Sequence, residues 1–443
     1  MALKKAENKY DYAVAVIGGG PAGIMAAIQA SSPEHGQGAC PERSRRVVLL
    51  EKNSSPAKKL LLTGGGRCNL ANAEYNLREL VKNYNNGEFL FHAFSVFGPK
   101  ETINFFEELG VKIKTENPST GSGQANRVFP ASNDAKEVLE ALKKYLEKNK
   151  VTVLFNSEVV DVKKVGKKIS KLILANPSTG SGRASEIIAR KYILCAGGKS
   201  HPVTGSDGFG YKFAEKLGHT IIKPMPALSP ILVKEAWARN LQGISLEDVK
   251  INVLQNNKKI ISEEGEFLFT HVGISGPVIL NISATVGELL EKGAVKISFD
   301  LFPLLNHEQL LKGFEYVLKQ HNNKTAKNIL TSFVPERLAE VLLDISGLDK
   351  NSIANNLSKI NREKLIKILK NFEVTAEEVL GFNTAMTTRG GISLKEINHK
   401  TMRSKIIDNL FFAGEIIDVD GKSGGFNLQM CWTTGRLAGG SCK

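Results

Sequence analysis

The stretch that most restricts the fold is "AVAVIGGGPAGIMAAIQA", residues 13–30. A short apolar strand runs straight into G-x-G-x-x-G (Gly18, Gly20 and Gly23) and then into an Ala-rich helix. That is the order in which a dinucleotide-binding strand–helix–strand unit is built. The three glycines serve different physical ends. Gly18 permits the tight turn, Gly20 lets backbone approach a pyrophosphate, and Gly23 lets helix and strand pack closely. The helix start, at Ala22, offers N–H groups and partial positive charge to phosphate. A second strand, Val47 to Leu50, ends at Glu51. A carboxylate there accepts hydrogen bonds from ribose hydroxyls and repels a 2′-phosphate.

Glu51 stands further from Gly23 than the roughly 20 residues such a unit needs. The excess lies in Ser32 to Arg46, which has neither helical nor strand period. The tract reads as an inserted loop, because surface connections absorb length at little entropic cost. Residues 117–123 and 176–182 both read "NPSTGSG" and have the same character of polar turn text.

The tract "NLFFAGEIIDVDGKSGGFNLQ" near the carboxyl end selects the dinucleotide. Leu410 to Ala413 is strand-like, and Gly414 and Glu415 at its end are expected to offer an N–H to phosphate and an acceptor to a ribityl hydroxyl. Gly424, Gly425, Phe426 and Asn427 then open a helix. Its amino terminus suits negative charge on a reduced flavin ring. Main chain between Val153 and Val159 is placed to meet adenine. No second strand–GxGxxG–helix unit occurs, since "GSDGFG" at Gly205 to Gly210 has its glycines in the wrong order. The embedded cofactor is therefore expected to be FAD, with NAD(P)H a transient electron donor.

The 443 residues suffice for two or three domains, and 42% hydrophobic with 23% charged residues describes an ordinary globular chain. The fold class expected is α/β: a discontinuous Rossmann-like FAD/NAD(P)-binding domain (1–224 and 381–443), interrupted by a small β-barrel-like domain (225–305) and a helical insert (306–380). Alternating text through "LEDVKINVLQNNKKIISEEGEFLFTHVGISGPVILNIS" carries the barrel expectation. Apolar residues at three- and four-residue spacing in "NHEQLLKGFEYVLKQ", "VPERLAEVLLDI" and "NREKLIKILKNF" carry the helical one.

Five widely spaced cysteines (Cys40, Cys68, Cys195, Cys431 and Cys442) form no C-x-x-C. This argues for a reducing cytoplasm, and against a metal site or a flavin-disulfide reductase. The amino terminus lacks a signal-peptide apolar region, and no apolar run is long enough to span a membrane. A net charge of +14 admits a polyanion partner, but no block of like charge is present. A basic enzyme acting on small molecules is the expectation, with nucleic acid the less favoured partner and oligomeric state open.

The motifs "AVIGGGPAGIMAA", "LLEKN", "KKLLLTGGGRCNLAN", "LCAGGKSHPVTGSDGFGYKFAEKLGHTI", "FLFTHVGISGPVIL", "TTRGGISLKEI" and "FFAGEIIDVDGKSGGFNLQ" together resemble the BaiN-like FAD-binding flavoproteins, also called YhiN-like or aminoacetone-oxidase-type. The resemblance runs nearly end to end. It implies a two-dinucleotide-fold FAD domain interrupted by a barrel and a helical domain, in bacterial cytoplasmic oxidoreductases that reduce enone-type steroid or bile-acid rings or oxidise aminoacetone. It also implies that Gly18, Gly20, Gly23, Glu51, Arg67, Asn69, Val159, Ala196, Gly197, Gly414, Glu415, Gly425 and Asn427 line the FAD. Ala22, Lys52, Gly65, Gly424 and Leu428 flank them as further cofactor contacts. Arg389 departs from the small residue usual in the family's "AGGV" text and puts the local substrate or flavin surroundings in question.

Among side chains with chemistry, His271 in "FTHVGISGP" is the proton-donor candidate, because a flavin reductase must protonate the carbon beside the one that takes hydride. A satisfied structural histidine is the competing reading, and His201 after "CAGG" is a weaker donor. Arg67 either meets phosphate or anionic substrate, or forms a structural ion pair. Cys68 either senses redox state or packs. Two other classes stay open: a flavoprotein acting on tRNA, marked by salt-dependent RNA retention, and a flavin-binding sensor that NAD(P)H does not reduce.

Overall fold

The computed structural model describes residues 10–32, 46–116, 126–175, 185–321, 323–353 and 356–442. Most of the Ser32–Arg46 tract, both "NPSTGSG" tracts and Cys40 lie outside the described residues. Contacts divide the described chain into two units, one running up to Pro226 and resuming at Ala385, the other spanning Ala227–Thr384.

The first unit is organised by five strands: β1 (Tyr12–Ile17), β2 (Val47–Leu50), β3 (Thr152–Leu154), β4 (Ala189–Leu194) and β5 (Leu410–Phe412). They form one sheet in the order β5-β4-β1-β2-β3, with every neighbouring pair parallel. A parallel sheet is covered on both faces, so its strands are apolar throughout rather than alternating. All four residues of β2, "VVLL", are buried, as are all three of β5. Helices α1 (Pro21–Ser31), α2 (Ala135–Lys148) and α3 (Phe426–Ser441) belong to the same unit. Asp134 caps α2 by accepting from the Lys136 N–H at 2.9 Å. Helices α1 and α3 touch backbone to backbone. A Cβ on Gly435 would stand 2.3 Å from the Ala22 carbonyl oxygen, and one on Gly439 would stand 2.4 Å from that of Ala26. Two small residues one turn apart thus allow an approach that a branched side chain would prevent.

This arrangement concentrates the expected cofactor positions. Gly18, Glu51, Ala196 with Gly197, and Gly414 each lie just beyond the carboxyl end of β1, β2, β4 and β5, which are neighbours in the sheet. The crevice outside the carboxyl ends of such strands is where open α/β sheets bind ligands.

The second unit contains a closed antiparallel barrel. Its strands run Ile231–Val233, Gly273–Ser275, Lys258–Phe269, Ser245–Gln255, Val295–Asp300 and Phe372–Val379, the last pairing back onto the first. The two long strands are joined through Asn256 and Asn257, both at positive φ (51° and 59°). Asparagine tolerates that region, which two-residue hairpin loops require. The helices His307–Gln320, Ala326–Leu330, Glu336–Ser346 and Lys359–Lys370 are inserted before the closing strand. They share one apolar core with the barrel, in which Phe267 stacks on Phe299 at 4.4 Å between centroids. One segment corrects the sequence reading: alternation ends at Ser275, and Pro277–Leu290 is a largely buried helix. Proline at its first turn sets the helical φ, and a helix apolar on most sides gives no strand-versus-helix period.

Candidate cofactor-binding site

The fingerprint glycines divide by physical cause. Gly18 sits at φ +101° and donates its N–H to the Leu50 carbonyl at 2.9 Å, and a Cβ on it would lie 2.5 Å from the Cys195 carbonyl oxygen. A Cβ on Gly23 would overlap the Gly18 carbonyl oxygen at 1.9 Å. Protein packing alone therefore demands both. Gly20 is different: its φ is −77°, open to any residue, and no atom lies within 4 Å of where its Cβ would be. Nothing in the protein accounts for that glycine, whereas a closely approaching pyrophosphate does. The start of α1 fits the same occupant, with no side-chain cap, Pro21 in the first turn, no acidic residue there, and Ala22 packed beneath. The partial positive charge of the helix end is left for an anion.

At the end of β2 the Glu51 carboxylate is buried and fixed. Oε2 accepts the Gly19 N–H at 2.9 Å, and Oε1 accepts the Asn53 N–H and side-chain amide, both at 2.8 Å. A carboxylate held from one side by these donors keeps lone pairs for hydroxyls on the other. Lys52 pairs with Asp207 at 2.7 Å, joining this corner to the loop that follows β4. In that loop the Ser206 hydroxyl is buried without a partner, 3.0 Å from where a Cβ on Gly197 (φ +74°) would be. An orphaned buried hydroxyl beside a glycine is the mark of a missing polar group. Gly20, the bare helix start, Glu51 and Ser206 together fit an adenine dinucleotide.

At the end of β5 the polar groups have protein partners. The Gly414 N–H, expected to face phosphate, donates to Thr434 Oγ1 at 3.0 Å. Glu415, expected to meet a ribityl hydroxyl, pairs with Lys59 at 2.7 Å and accepts from Thr387 Oγ1 at 3.0 Å. Lys59 also donates to Ser200 Oγ at 2.7 Å, so one ammonium ties three loops together. The Asn427 side chain accepts the Gly421 N–H at 2.9 Å and donates to the Gly421 carbonyl at 2.8 Å, bracing the loop ahead of α3. Asn69 joins that loop to the glycine-rich one by donating to the Ala71 carbonyl (3.1 Å) and accepting from the Gly425 N–H (3.0 Å). Asn72 donates to the Gly424 carbonyl at 3.1 Å. Gly424 (φ +115°) and Gly425 (φ +99°) bring the chain into α3, whose start carries no side-chain cap and buries Leu428 in its first turn.

Other expected residues lie as follows. Gly65, at φ +68°, has open space beside it. Arg67 forms the ion pair that sequence reading left open, with Glu116 at 3.1 Å, and its guanidinium lies over Phe129 at 4.2 Å. Val159 is buried at the start of a strand in a separate three-stranded sheet and pairs with Leu174. Cys68 is buried at φ +61°, and burial pushes its thiol up to about 12, so it packs and is not a reactive thiolate. Arg389 holds Asp420, with Nε donating at 3.1 Å and Nη2 at 3.2 Å. His201 is half-buried at φ +51°, and burial and the nearby Lys59 charge lower its pKa. His271 is exposed in the second unit, in the turn before Gly273–Ser275. Sequence reading missed Lys59, Ser206 and the paired Asp418 and Asp420; only the last had a legible signal, the repeated carboxylate in "DVDG". Among the described residues, no group of three His, Cys, Asp or Glu side chains is placed to hold a metal.

Known proteins align with this chain along nearly its whole length. The family described as HI0933-like protein Rossmann domain matches residues 12–441. A 3-dehydro-bile acid delta(4,6)-reductase from Clostridium scindens is 32% identical over 427 residues, 96% of this chain and 98% of the relative. A ribosomal RNA dihydrouridine synthase from Haemophilus influenzae is 28% identical over 424 residues, 95% of each chain. The crystal structure of 3-ketosteroid-delta4-(5alpha)-dehydrogenase from Rhodococcus jostii RHA1, in complex with 4-androstene-3,17-dione, superposes with a TM-score of 0.51 at 14% identity. It covers 99% of this chain and 98% of that one, and shares the fold. The chain belongs to the HI0933-like Rossmann family and is an FAD-dependent oxidoreductase.

Proposed function

We propose that the enzyme saturates a ring carbon–carbon double bond conjugated to a carbonyl in a small organic molecule, with NAD(P)H as its transient electron donor. The observation that carries the reading is the end-to-end similarity to a relative named as a bile-acid delta(4,6)-reductase. Gly18, Gly20, Gly23, the start of α1 and Glu51 would hold the adenylate half of FAD. Asn69, Gly425 and the start of α3 would hold the ring end, where a helix amino terminus stabilises developing negative charge. When bound, FAD supplies hydride chemistry. Cys68, Cys195, Cys431 and Cys442 are free and buried, which suits a cytoplasmic enzyme. No helix among the described residues is long and apolar enough to cross a membrane.

A second reading, reduction of a uridine ring in RNA, is favoured by where the charge lies. Between Ala227 and Thr384 there are 18 Lys and Arg against 19 Asp and Glu, so the whole net charge of +14 resides in the remainder of the chain. That remainder includes the cofactor unit, and a basic unit attracts a polyanion. The relative named as a ribosomal RNA dihydrouridine synthase acts on such a substrate.

One anaerobic experiment separates the readings. Enzyme reduced with NADPH or NADH is mixed with a 4-en-3-one steroid, with a uridine-rich ribosomal RNA fragment, or with a primary amine as control. The steroid is expected to reoxidise the flavin within seconds. Reoxidation by RNA alone, weakened steeply by added salt, would replace the first reading with the second. A flavin that neither nucleotide reduces would point to a sensor.

A further inference from the structure

The segment that follows β4 is tied to the one that follows β2, across the strand between them. In the sheet β1 lies between β2 and β4, so a tie joining the two segments spans the carboxyl end of β1, where Gly18 to Gly20 turn. Three ties do so: Lys59 Nζ donates to Ser200 Oγ at 2.7 Å, the Asn53 side-chain amide donates to the Thr204 carbonyl at 3.1 Å, and Lys52 Nζ meets Asp207 Oδ2 at 2.7 Å. The same Asn53 amide donates to Glu51 Oε1 at 2.8 Å, so one nitrogen serves both the carboxylate expected to take ribose hydroxyls and the segment after β4. The approach is close. Gly205 sits at φ +106°, and a Cβ on it would stand 2.7 Å from Asn53 Nδ2. From below, the Ala57 N–H donates to the Gly19 carbonyl at 2.9 Å and holds residues 51–57 against the β1 turn. Ser206 lies inside this tied segment. It is 7% exposed, and its hydroxyl has no hydrogen-bond partner among the described residues. That hydroxyl stands 3.0 Å from where a Cβ on Gly197 would be, beyond the end of β4 and on the same sheet edge as Gly18 and Glu51. For the protein alone an alanine there would serve better, because a buried hydroxyl left unbonded is costly.

We propose that segment 200–207 is a clasp over the adenylate half of the bound dinucleotide, and that the Ser206 hydroxyl is its hydrogen bond to that half. The proposal rests on the FAD assignment above. The three ties join protein to protein, so they must release before a nucleotide passes in either direction. Weakening a tie lowers the cost of opening equally for entry and for exit. The two rates then rise together and their ratio, the affinity, is kept. Ser206 differs, because its bond forms only with the nucleotide in place. Losing it speeds exit and leaves entry as it was. Contact and clasp therefore carry different kinetic signatures.

The test follows flavin fluorescence as FAD enters the flavin-stripped full chain and as it leaves the loaded chain on dilution, in wild type, Ser206→Ala and Asp207→Asn. Ser206→Ala should release FAD about five- to 150-fold faster, with entry unchanged. ADP, which carries the adenylate half alone, should bind this variant more weakly by the same factor. Its flavin-stripped form should resist urea as well as wild type does or better, since an unbonded buried hydroxyl is gone. Asp207→Asn keeps an acceptor for the Phe209 N–H, taken at 3.0 Å in wild type, but loses the ion pair with Lys52. Entry and release should both quicken, by up to about fivefold for so exposed a pair, with their ratio unchanged. A Ser206→Ala chain that releases FAD at the wild-type rate, or is less stable without flavin, would refute the contact. Faster FAD release with ADP affinity unchanged would put the contact on the ring half and overturn its placement. Asp207→Asn rates that match wild type, or faster release alone, would refute the clasp. A folded wild type that takes up no FAD would instead refute the cofactor assignment, and the proposal with it.

Discussion

Gly20→Ala is expected to yield a protein whose apo form is as stable as wild type but which binds FAD more weakly, while Gly23→Ala should be markedly destabilised. The contrast follows from what an added methyl meets. At Gly20 the backbone is ordinary and the space is empty, so the protein gains nothing harmful. A methyl forced against a closely bound pyrophosphate costs about 1–3 kcal/mol, which is roughly five- to 150-fold in affinity. At Gly23 the same methyl would stand 1.9 Å from the Gly18 carbonyl oxygen, and backbone cannot step aside cheaply. The destabilisation should reach about 3 kcal/mol, the upper end for overpacking. Flavin content after purification, with urea unfolding of flavin-stripped protein, reads both. If Gly20→Ala bound FAD as tightly as wild type, the open space beside it would not be the pyrophosphate site. If both variants unfolded alike, the division of the glycines by cause would be mistaken.

The nucleotide corner was legible because its signals are local and rest on backbone physics. The turn at Gly18 is read from one short run of residues, and the apolar run of β2 with the carboxylate at Glu51 from another. What sequence could not give was the spending of hydrogen bonds between distant segments. Lys59 and Glu415 are far apart in the chain, yet they meet at 2.7 Å, and nothing in either's neighbourhood announces the pair. Thr434 takes the Gly414 N–H for the same reason: α3 returns beneath β5, a fact of topology and not of composition. Arg67 illustrates the limit from the other side. Its glycine-rich context suggested a ligand, but Glu116 supplies a carboxylate from a strand that sequence could not pair with it. The helix at Pro277–Leu290 was hidden because β-branched, apolar text reads equally as buried strand. The contact of α1 with α3 through Gly435 and Gly439 is visible afterwards as small residues at four-residue spacing, a pattern that constrains nothing until its partner is known.

His219 should make the stability of the first unit fall on mild acidification, through a tie that no functional motif suggested. The ring is buried, with Nδ1 3.1 Å from Glu396 Oε2, Nε2 3.0 Å from Ser404 Oγ, and its edge against Phe412 at 4.9 Å. Ser404 Oγ already accepts the N–H groups of Ile406 (3.0 Å) and Ile407 (2.8 Å), which uses both its lone pairs. Its own O–H must therefore donate to Nε2, and the ring carries its single proton on Nδ1, facing Glu396. A second proton on Nε2 would point at an oxygen with nothing left to offer. Burial, helped by the Lys164 charge, accordingly holds the His219 pKa below its ordinary 6.5, although Glu396 pulls the other way. Below pH 6.5 the unfolded chain binds a proton that the folded chain refuses, so stability is lost as pH falls toward the folded value. Asp418 acts with the opposite sign: its folded carboxyl, at about 6, binds a proton more readily than its unfolded one and favours the folded state as pH falls through that value. The difference between wild type and His219→Ala removes this shared background. At pH 7.5 the variant should be about 3 kcal/mol less stable, having lost a buried ring and two hydrogen bonds. The gap should narrow steadily below pH 6.5, because only wild type carries the acid penalty. Urea unfolding at half-unit pH steps, followed by circular dichroism and flavin release, measures it. A gap that stayed constant or widened toward pH 5 would mean that the folded ring accepts the second proton after all.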